Sequence, residues 1–199
     1  MLKAKQSGFE VEGLELEVNR ASYSSNVVGS LIHGVPVDNE SFIASRREYY
    51  DAVTLWDVIE HVNFPVSVIE AIRSILKPGG YIFIDTPVKD GFYHQFGDIT
   101  YKLTFGKMPT FLNIMYSDHP FGHKQIFSTN EMGGLLGELG FNVISLDKFH
   151  ELSFPYEFYL KKLLRNEQLA KGLSPFADIF FKIFKLKNKM KVVARKPIS

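Results

Sequence analysis

Two short apolar runs separated by one helix-length stretch constrain this chain more than any other feature. Asp51-Ala52-Val53-Thr54-Leu55-Trp56 and Tyr81-Ile82-Phe83-Ile84-Asp85-Thr86 are short and continuously apolar at their centres. That is the pattern of strands buried on both faces of a sheet. Between them Val68, Ile69, Ile72, Ile75 and Leu76 recur at helical spacing. Pro65 suits a first helical turn, Lys77-Pro78-Gly79-Gly80 stops the helix, and Pro87 ends the second strand. The rest of the chain repeats this alternation. Phe9–Leu16 alternates apolar and acidic residues with the period of a strand. Before it, Leu2–Gln6 reads as the tail of a helix closed at Ser7-Gly8. Asn19–Ser25 is predicted as a short helix, Val27–His33 as a strand, and Asp38–Glu48 shows no clear period. Ser128-Thr129-Asn130-Glu131 has the form of a capping box and opens a helix running to Gly140. Phe141–Phe149 then reads as a strand, Pro155–Asn166 and Pro175–Leu186 as helical, and Lys191–Arg195 as a final strand. Strands alternating with helices predict an α/β fold with a mainly parallel, doubly wound sheet.

At 199 residues the chain is long enough for one such domain and short for two. The absence of cysteine excludes disulfides, thiolate metal sites and cysteine nucleophiles. A net charge of +1 supplies no global field for nucleic acid, so no nucleic-acid partner is expected. No run approaches the roughly 20 apolar residues of a spanning helix, and Met1-Leu2-Lys3-Ala4-Lys5 does not open a secretory signal. A cytoplasmic location is expected. The 18 Phe and nine Tyr cluster after residue 80, which suits an apolar pocket or lid, or equally a thick core. Residues 88–122 in particular are irregular, aromatic and punctuated by Gly and Pro. Such a long connection inside a domain usually has a function.

Tyr50-Asp51-Ala52-Val53-Thr54-Leu55-Trp56-Asp57-Val58-Ile59-Glu60-His61-Val62, followed by Leu76-Lys77-Pro78-Gly79-Gly80-Tyr81-Ile82-Phe83-Ile84, resembles the class I S-adenosylmethionine (SAM)-dependent methyltransferases. The likeness is greatest to the branch with the ubiquinone-pathway O-methyltransferases and many sugar and polysaccharide-cluster methyltransferases. The two motifs at this spacing are far more specific than a lone glycine motif. Gly122-His123-Lys124-Gln125-Ile126-Phe127-Ser128 and the final Val-Val-Ala-Arg-Lys strand are similar to the same branch, so the likeness covers essentially the whole chain.

The resemblance implies a Rossmann-like sheet of order 3-2-1-4-5-7-6 with the last strand antiparallel. On that map Glu10–Leu16 and Val27–His33 are strands 2 and 3, Tyr50–Trp56 and Tyr81–Thr86 are strands 4 and 5, and Phe141–Phe149 and Lys191–Arg195 are strands 6 and 7. Strand 1 and its Gly-x-Gly-x-Gly turn would precede residue 1. The expectation is a single methyltransferase domain over 1–199 lacking that strand, with a gap or a makeshift pairing between strands 2 and 4. The 88–122 aromatic insertion and a 152–188 helical insertion would cover the substrate site.

The resemblance also assigns candidate SAM-binding residues. Glu15, with Leu16 beside it, would accept hydrogen bonds from the ribose hydroxyls, although a solvated edge glutamate is the plainer reading. Gly34, Leu55, Trp56 and Asp57 complete the set. Trp56 would lie against the adenine or sulfonium end, where a cation gains from a ring face, or else simply pack in the core. Asp57 would sit near the methionine moiety. Val35 departs from the family, where many relatives carry an Asp that accepts from the adenine amino group; a backbone carbonyl or Asp38 could substitute. Glu60 and His61 are expected on the following helix in capping or packing roles. His123 is the candidate catalytic base, since an imidazole can take a hydroxyl proton as the oxygen attacks; the alternative is a loop histidine bonded to backbone. His119 and His123, separated by Pro120 and Gly122, make a poor metal pair, and no metal is expected.

The acceptor implied is a small molecule, a sugar or a lipid-linked group. Two other functions fit the chain: a degraded or split methyltransferase serving as a non-catalytic binding module, and a nucleotide-dependent oxidoreductase on a related sheet. One feature of the C-terminal third bears on partners. Between 161 and 196 stand 11 Lys/Arg against Glu167 and Asp178. There, Phe176, Ile179, Phe180, Ile183, Phe184 and Leu186 share a helix with Lys182, Lys185 and Lys187. Peripheral membrane contact through 176–187 and packing of these phenylalanines on the sheet both remain open.

Overall fold

The computed structural model describes residues 1–109, 112–116, 122–152, 155–184 and 186–198. Its larger sheet takes the order β3-β4-β6-β5, from β3 (Tyr50–Trp56), β4 (Leu76–Pro87), β5 (Asn142–Phe149) and β6 (Lys189–Arg195). β3 and β4 run parallel, while β6 is antiparallel to both β4 and β5. β1 (Gly13–Leu14) and β2 (Ile32–His33) pair in parallel as a separate two-stranded sheet. The two pieces match the 3-2 and 4-5-7-6 parts of the expected order, with the expected break between them. Among the described residues no backbone ladder joins β1 to β3.

β4 carries the core. Ile82 and Ile84 are fully buried on it and pack with Leu55 of β3, Val192 of β6, and Ile69 and Ile72 of helix α4 (Pro65–Ile75). Pro65 opens α4 at its first turn as predicted. The strand begins five residues earlier than the apolar run. Tyr50 faces Leu76 but Ala52 faces Tyr81, so Lys77–Gly80 forms an irregularity that the ladder absorbs. A side chain on Gly80 would lie 2.9 Å from the Lys77 carbonyl, which explains glycine there.

Other boundaries shift for identifiable reasons. The Phe9–Leu16 strand shrinks to Gly13–Leu14, and Val27–His33 to Ile32–His33. Each of these strands has a single neighbour, and the helix between them is longer than its apolar pattern. Helix α2 (Val18–Val28) starts where the Glu17 carboxylate accepts the Asn19 and Arg20 N–H groups. It runs through Val27 and Val28 to Gly29, at φ 63. Helices α1 (Leu2–Gln6) and α3 (Glu40–Ser45) flank this sheet piece in sequence.

The 88–122 stretch is more regular than expected, since it contains α5 (Phe92–Leu103) and α6 (Leu112–Met115). The Ser128/Glu131 capping box is present in full and opens α7 (Thr129–Glu138). In the second insertion, α8 (Tyr156–Leu164) is followed by α9 (Glu167–Phe184), which passes straight through Pro175. A proline read as a helix start is thus interior; one lost backbone bond is tolerated where α9 lies along α8.

One side chain spans the break between the sheets. Glu12 Oε2 accepts from Tyr50 Oη at 2.7 Å and Arg46 Nε at 3.2 Å, and hydrogen-bonds His33 Nε2 at 2.9 Å. It thereby ties the residue before β1 to the end of β2, to the end of α3 and to the first residue of β3. Burial acts to raise the Glu12 carboxyl, but the bonds from His33, Tyr50 and Arg46 outweigh it and hold the group below its ordinary value of 4.5. Its stabilisation is therefore complete above pH 4.5 and lost as pH falls through the depressed folded value. Glu12→Ala should lower the unfolding free energy by ~1–3 kcal/mol at pH 7, since it leaves three donors without their acceptor. Urea titrations at pH 7 and pH 4 check this: the difference between wild type and Glu12→Ala should shrink in acid. A difference independent of pH would remove the bridge.

Candidate functional site

In open α/β sheets, ligands collect outside the carboxyl ends of the parallel strands. Here that edge gathers the turn after β3, the end of β4 and, because β6 is antiparallel, the first residue of β6. Residues 57–63 form this turn, so Glu60 and His61 lie before α4 and not on it. The segment after residue 122 clamps it. Lys124 and Gln125 donate backbone N–H groups to the Glu60 carbonyl, and Gln125 Nε2 donates to the carbonyls of Ile59 and Val62. Two of the stretches that carry the family likeness, Tyr50–Val62 through its last residues and Gly122–Ser128, are held together by these bonds.

The clamp brings three titratable side chains together, Glu60 buried and His61 and His123 half-buried. Glu60 is fully buried; its Oε2 accepts from Thr86 Oγ1 at 2.9 Å, while Oε1 has no hydrogen-bond partner among the described residues. Burial first, and the nearby charge of Asp57, push this carboxyl up to about 7. His61 Nδ1 bonds to the Gly122 carbonyl at 3.2 Å, its Nε2 lies 3.9 Å from Glu60 Oε1, and its ring sits 4.8 Å from that of His123. His123 Nδ1 is buried without a hydrogen-bond partner among the described residues. Burial, then the neighbouring His61, depress its basicity below the ordinary imidazole value, against a hydrogen bond with the Met115 backbone, and so favour the neutral ring. Glu60, His61 and His123 each place one possible ligand atom within 4.8 Å of the others. These are also the residues that could gather around a cation. His119 lies outside the described residues.

Beside this cluster, Lys189 Nζ is nearly buried against three carboxylates. It lies 2.6 Å from Asp85 Oδ1, 2.9 Å from Asp57 and 3.4 Å from Glu151 Oε2. Burial would lower the ammonium, but the bonds to Asp85 and Asp57 outweigh it and raise it. Burial also pushes Asp85 upward against the pull of Lys189, with Asp57 and Glu151 adding to the rise. Asp57 adopts a left-handed backbone at φ 49 and donates its N–H to the Asp85 carbonyl. Aspartate enters this region more readily than most residues, and the Lys189 pair helps to hold it there.

The other candidates divide. Trp56 is 53% exposed at the strand end, which removes the core-packing reading. Leu55 points into the core, so only its backbone reaches the edge. Glu15 follows β1 directly, is partly exposed, and uses Oε1 to cap the Glu17 N–H. Leu16 is exposed, and Gly34 faces open space where a side chain would begin. The suggested stand-in for the missing adenine acceptor, Asp38, is engaged by Ser67 Oγ at 3.1 Å. Three participants escaped the sequence reading: Glu60, assigned a packing role, and Asp85 and Lys189. Asp85 had a visible signal, as a lone carboxylate in an otherwise apolar buried strand.

Lys189→Met should destabilise the fold by about 3 kcal/mol, the low end for breaking a buried ion pair, because Asp57 and Glu151 keep access to water. Adding Asp85→Asn should recover part of that loss. Chemical denaturation of the two single variants and the double reads this directly, and strictly additive effects would show that the pair is not coupled.

Residues 1–146 match the family described as methyltransferase domain. The chain is 37% identical over 84 residues to a ubiquinone biosynthesis O-methyltransferase of Paraburkholderia xenovorans, a match covering 40% of this chain and 35% of that protein. A Shewanella protein of the same name is 43% identical over 58 residues, 29% of this chain and 25% of its own. The chain thus spans about a third or less of the length of these curated relatives. Among solved structures, a SAM-dependent methyltransferase from Archaeoglobus fulgidus aligns with a TM-score of 0.60 at 15% identity, over 98% of this chain and 79% of its own. The 1,6-didemethyltoxoflavin-N1-methyltransferase of Burkholderia thailandensis, solved with bound 1,6-didemethyltoxoflavin and S-adenosylhomocysteine, aligns with a TM-score of 0.57 at 14% identity, over 97% of this chain and 64% of its own. The family match sets the oxidoreductase reading aside: this chain belongs to the class I SAM-dependent methyltransferase family.

Proposed function

We propose that this chain binds SAM at the carboxyl edge of its sheet and transfers the methyl group to an acceptor hydroxyl. The observation that carries the reading is His123, a half-buried imidazole of lowered basicity beside Glu60 and His61, whose Nδ1 has no hydrogen-bond partner among the described residues. The residues present suit the cofactor chemically. Glu15 offers carboxylate oxygen to ribose hydroxyls, Gly34 leaves room for the nucleoside, and the exposed Trp56 ring suits a sulfonium. Asp57, next to Leu55 and Trp56 at the end of β3, and Leu16, beside Glu15, complete the set.

SAM supplies an activated methyl group, and the chain's task is to orient the acceptor, exclude water and remove a proton. His123 would take the proton that the acceptor hydroxyl gives up as it is methylated. A base with a depressed pKa stays unprotonated into mildly acidic solution. The insertions at 88–122 and 152–188 cover the acceptor side, which suits a small molecule, a sugar or a lipid-linked group. Delivery of a greasy acceptor from a lipid surface is the finer form of this reading.

Titration of the chain with SAM by calorimetry is the first test. Binding separates an enzyme from a non-catalytic module that has lost the cofactor, and Glu15→Gln should weaken it by ~1–3 kcal/mol. His123→Gln should keep SAM affinity while lowering turnover by about 100-fold or more. In wild type, kcat/KM should rise through an apparent pKa below 6.5, the ordinary value, and stay level above it. The cation-sized grouping of Glu60, His61 and His123 favours a second reading, in which they gather a metal. Loss of turnover with a chelator, restored by a divalent cation, would select that reading over a free base.

A further inference from the structure

The α8–α9 hairpin is built the wrong way round for a helix that packs on a sheet. Along α9 the small residue Ala170 is fully buried and Ser174 and Ala177 are partly covered, while the large apolar side chains among the described residues face out. Leu169, Leu173, Phe176, Phe180 and Ile183 recur at intervals of three and four, the spacing of one helical stripe, and Ile179 and Phe184 widen it. Phe176 is 70% exposed, Ile183 68%, Phe184 59%, Ile179 58% and Phe180 48%. Among the described residues, α8 is the element against which α9 packs closely, and the sheet is not. The packing of these phenylalanines on the sheet is therefore not what the fold shows.

An exposed apolar stripe of this length needs an occupant. The charge around it identifies one. Along the hairpin, between 161 and 187, seven Lys/Arg stand against Glu167 and Asp178, and Glu167 is already paired with Lys161 at 2.8 Å. No helix among the described residues is long and apolar enough to cross a membrane. An amphipathic helix of 18 residues with an apolar face and a strongly basic sequence context lies in an interface instead. We propose that α9 docks this protein on an anionic lipid surface, with the Leu169–Phe184 stripe in the headgroup region and the surrounding lysines and arginines over it. The placement Lys182 and Lys185 contribute is through sequence charge alone, since Lys185 and the Lys182 side chain lie outside the described residues.

The root of the hairpin is tied to the site's neighbourhood. His150 Nδ1 bonds to the Leu186 carbonyl and its Nε2 to Tyr156 Oη, and the Phe92 N–H at the start of α5 donates to the Lys187 carbonyl. Both insertions thus leave the sheet from one anchored point. The exposed Phe96, Ile99 and Leu103 give α5 an apolar stripe of its own. If the methyl-transfer reading holds, this arrangement brings the acceptor from the lipid; the docking itself does not depend on that reading.

Vesicle co-sedimentation of the whole chain tests it. Binding is expected to vesicles of phosphatidylcholine with 30% phosphatidylglycerol and to fall at least tenfold in pure phosphatidylcholine or in high salt. Phe176→Glu/Ile183→Glu should abolish binding, and Ile183→Leu should retain it. Unchanged SAM affinity and an unchanged circular-dichroism melt for the double variant show that the fold survives, and they report separately on the methyltransferase reading. Wild type that ignores anionic vesicles at low salt overturns the proposal. So does a light-scattering dimer that the double variant converts to monomer without any vesicle binding, since a second copy would then be the occupant.

Discussion

One buried ammonium organises the functional edge. Lys189 opens β6, and because β6 runs against its neighbours, its first residue lies where the parallel strands β3 and β4 finish. Asp57 just past β3, Asp85 near the end of β4 and Glu151 just past β5 converge on it. The ends of all four strands of the larger sheet are therefore pinned by one cation. The antiparallel last strand has a specific physical consequence here. A parallel β6 would start at the opposite edge, and no lysine at its first position could reach the three carboxylates. The left-handed backbone of Asp57 follows from the same constraint, since its carboxylate and its N–H are both held from the β4 side.

The second organising contact is Glu12, which replaces a missing backbone ladder with side-chain bonds. A strand pairing between β1 and β3 would add several N–H···O bonds and a continuous core; Glu12 supplies three bonds from one carboxylate oxygen. That is enough to set the position of the smaller sheet, but it does not bury apolar surface. Phe9, Leu16 and Val27 consequently stay exposed, in contrast to the densely buried face of α4. The chain joins a well-packed half, built on β4, to a half held mainly by polar contacts.

What could be read from the sequence follows the same division. Where periodicity and packing agree, as in β3, α4, β5, β6 and the capped α7, the elements fell within a few residues of their predicted bounds. Around β1 and β2 the apolar pattern promised longer strands than a two-stranded sheet can sustain, and the Glu17 cap and Gly29 gave their residues to α2. Pro175 misled because a local signal for a helix start was overridden by packing along α8. At the site, His123, Trp56 and Asp57 were legible from their motifs. Glu60 was seen but assigned to packing, because a glutamate on an expected helix has many uses; only the clamp from Lys124 and Gln125 shows that it is buried with an oxygen to spare. Lys189 was illegible for a simpler reason. It stands 132 residues from Asp57, and nothing local marks a lysine that will close a strand-end cluster.

The charge balance of that edge carries an argument about the proposed reaction. Three carboxylates surround one ammonium, and Glu60 adds a group poised between its charged and neutral forms near pH 7. Such an excess of negative charge favours a cationic ligand, which SAM is, over a neutral one, which S-adenosylhomocysteine is at sulfur. The same field cannot be strengthened without cost, because methyl transfer discharges the sulfonium and a more negative edge would hold the reactant more tightly than the transition state. Lys189 limits that field, cancelling one charge while its bonds hold two others in fixed positions. His123 is consistent with this balance: a neutral base beside a partly protonated carboxyl gains a proton as the sulfonium loses its charge, so the total charge of the edge changes little during the step. On this reading the lysine that fixes the strand ends also keeps the edge from binding its cation too well.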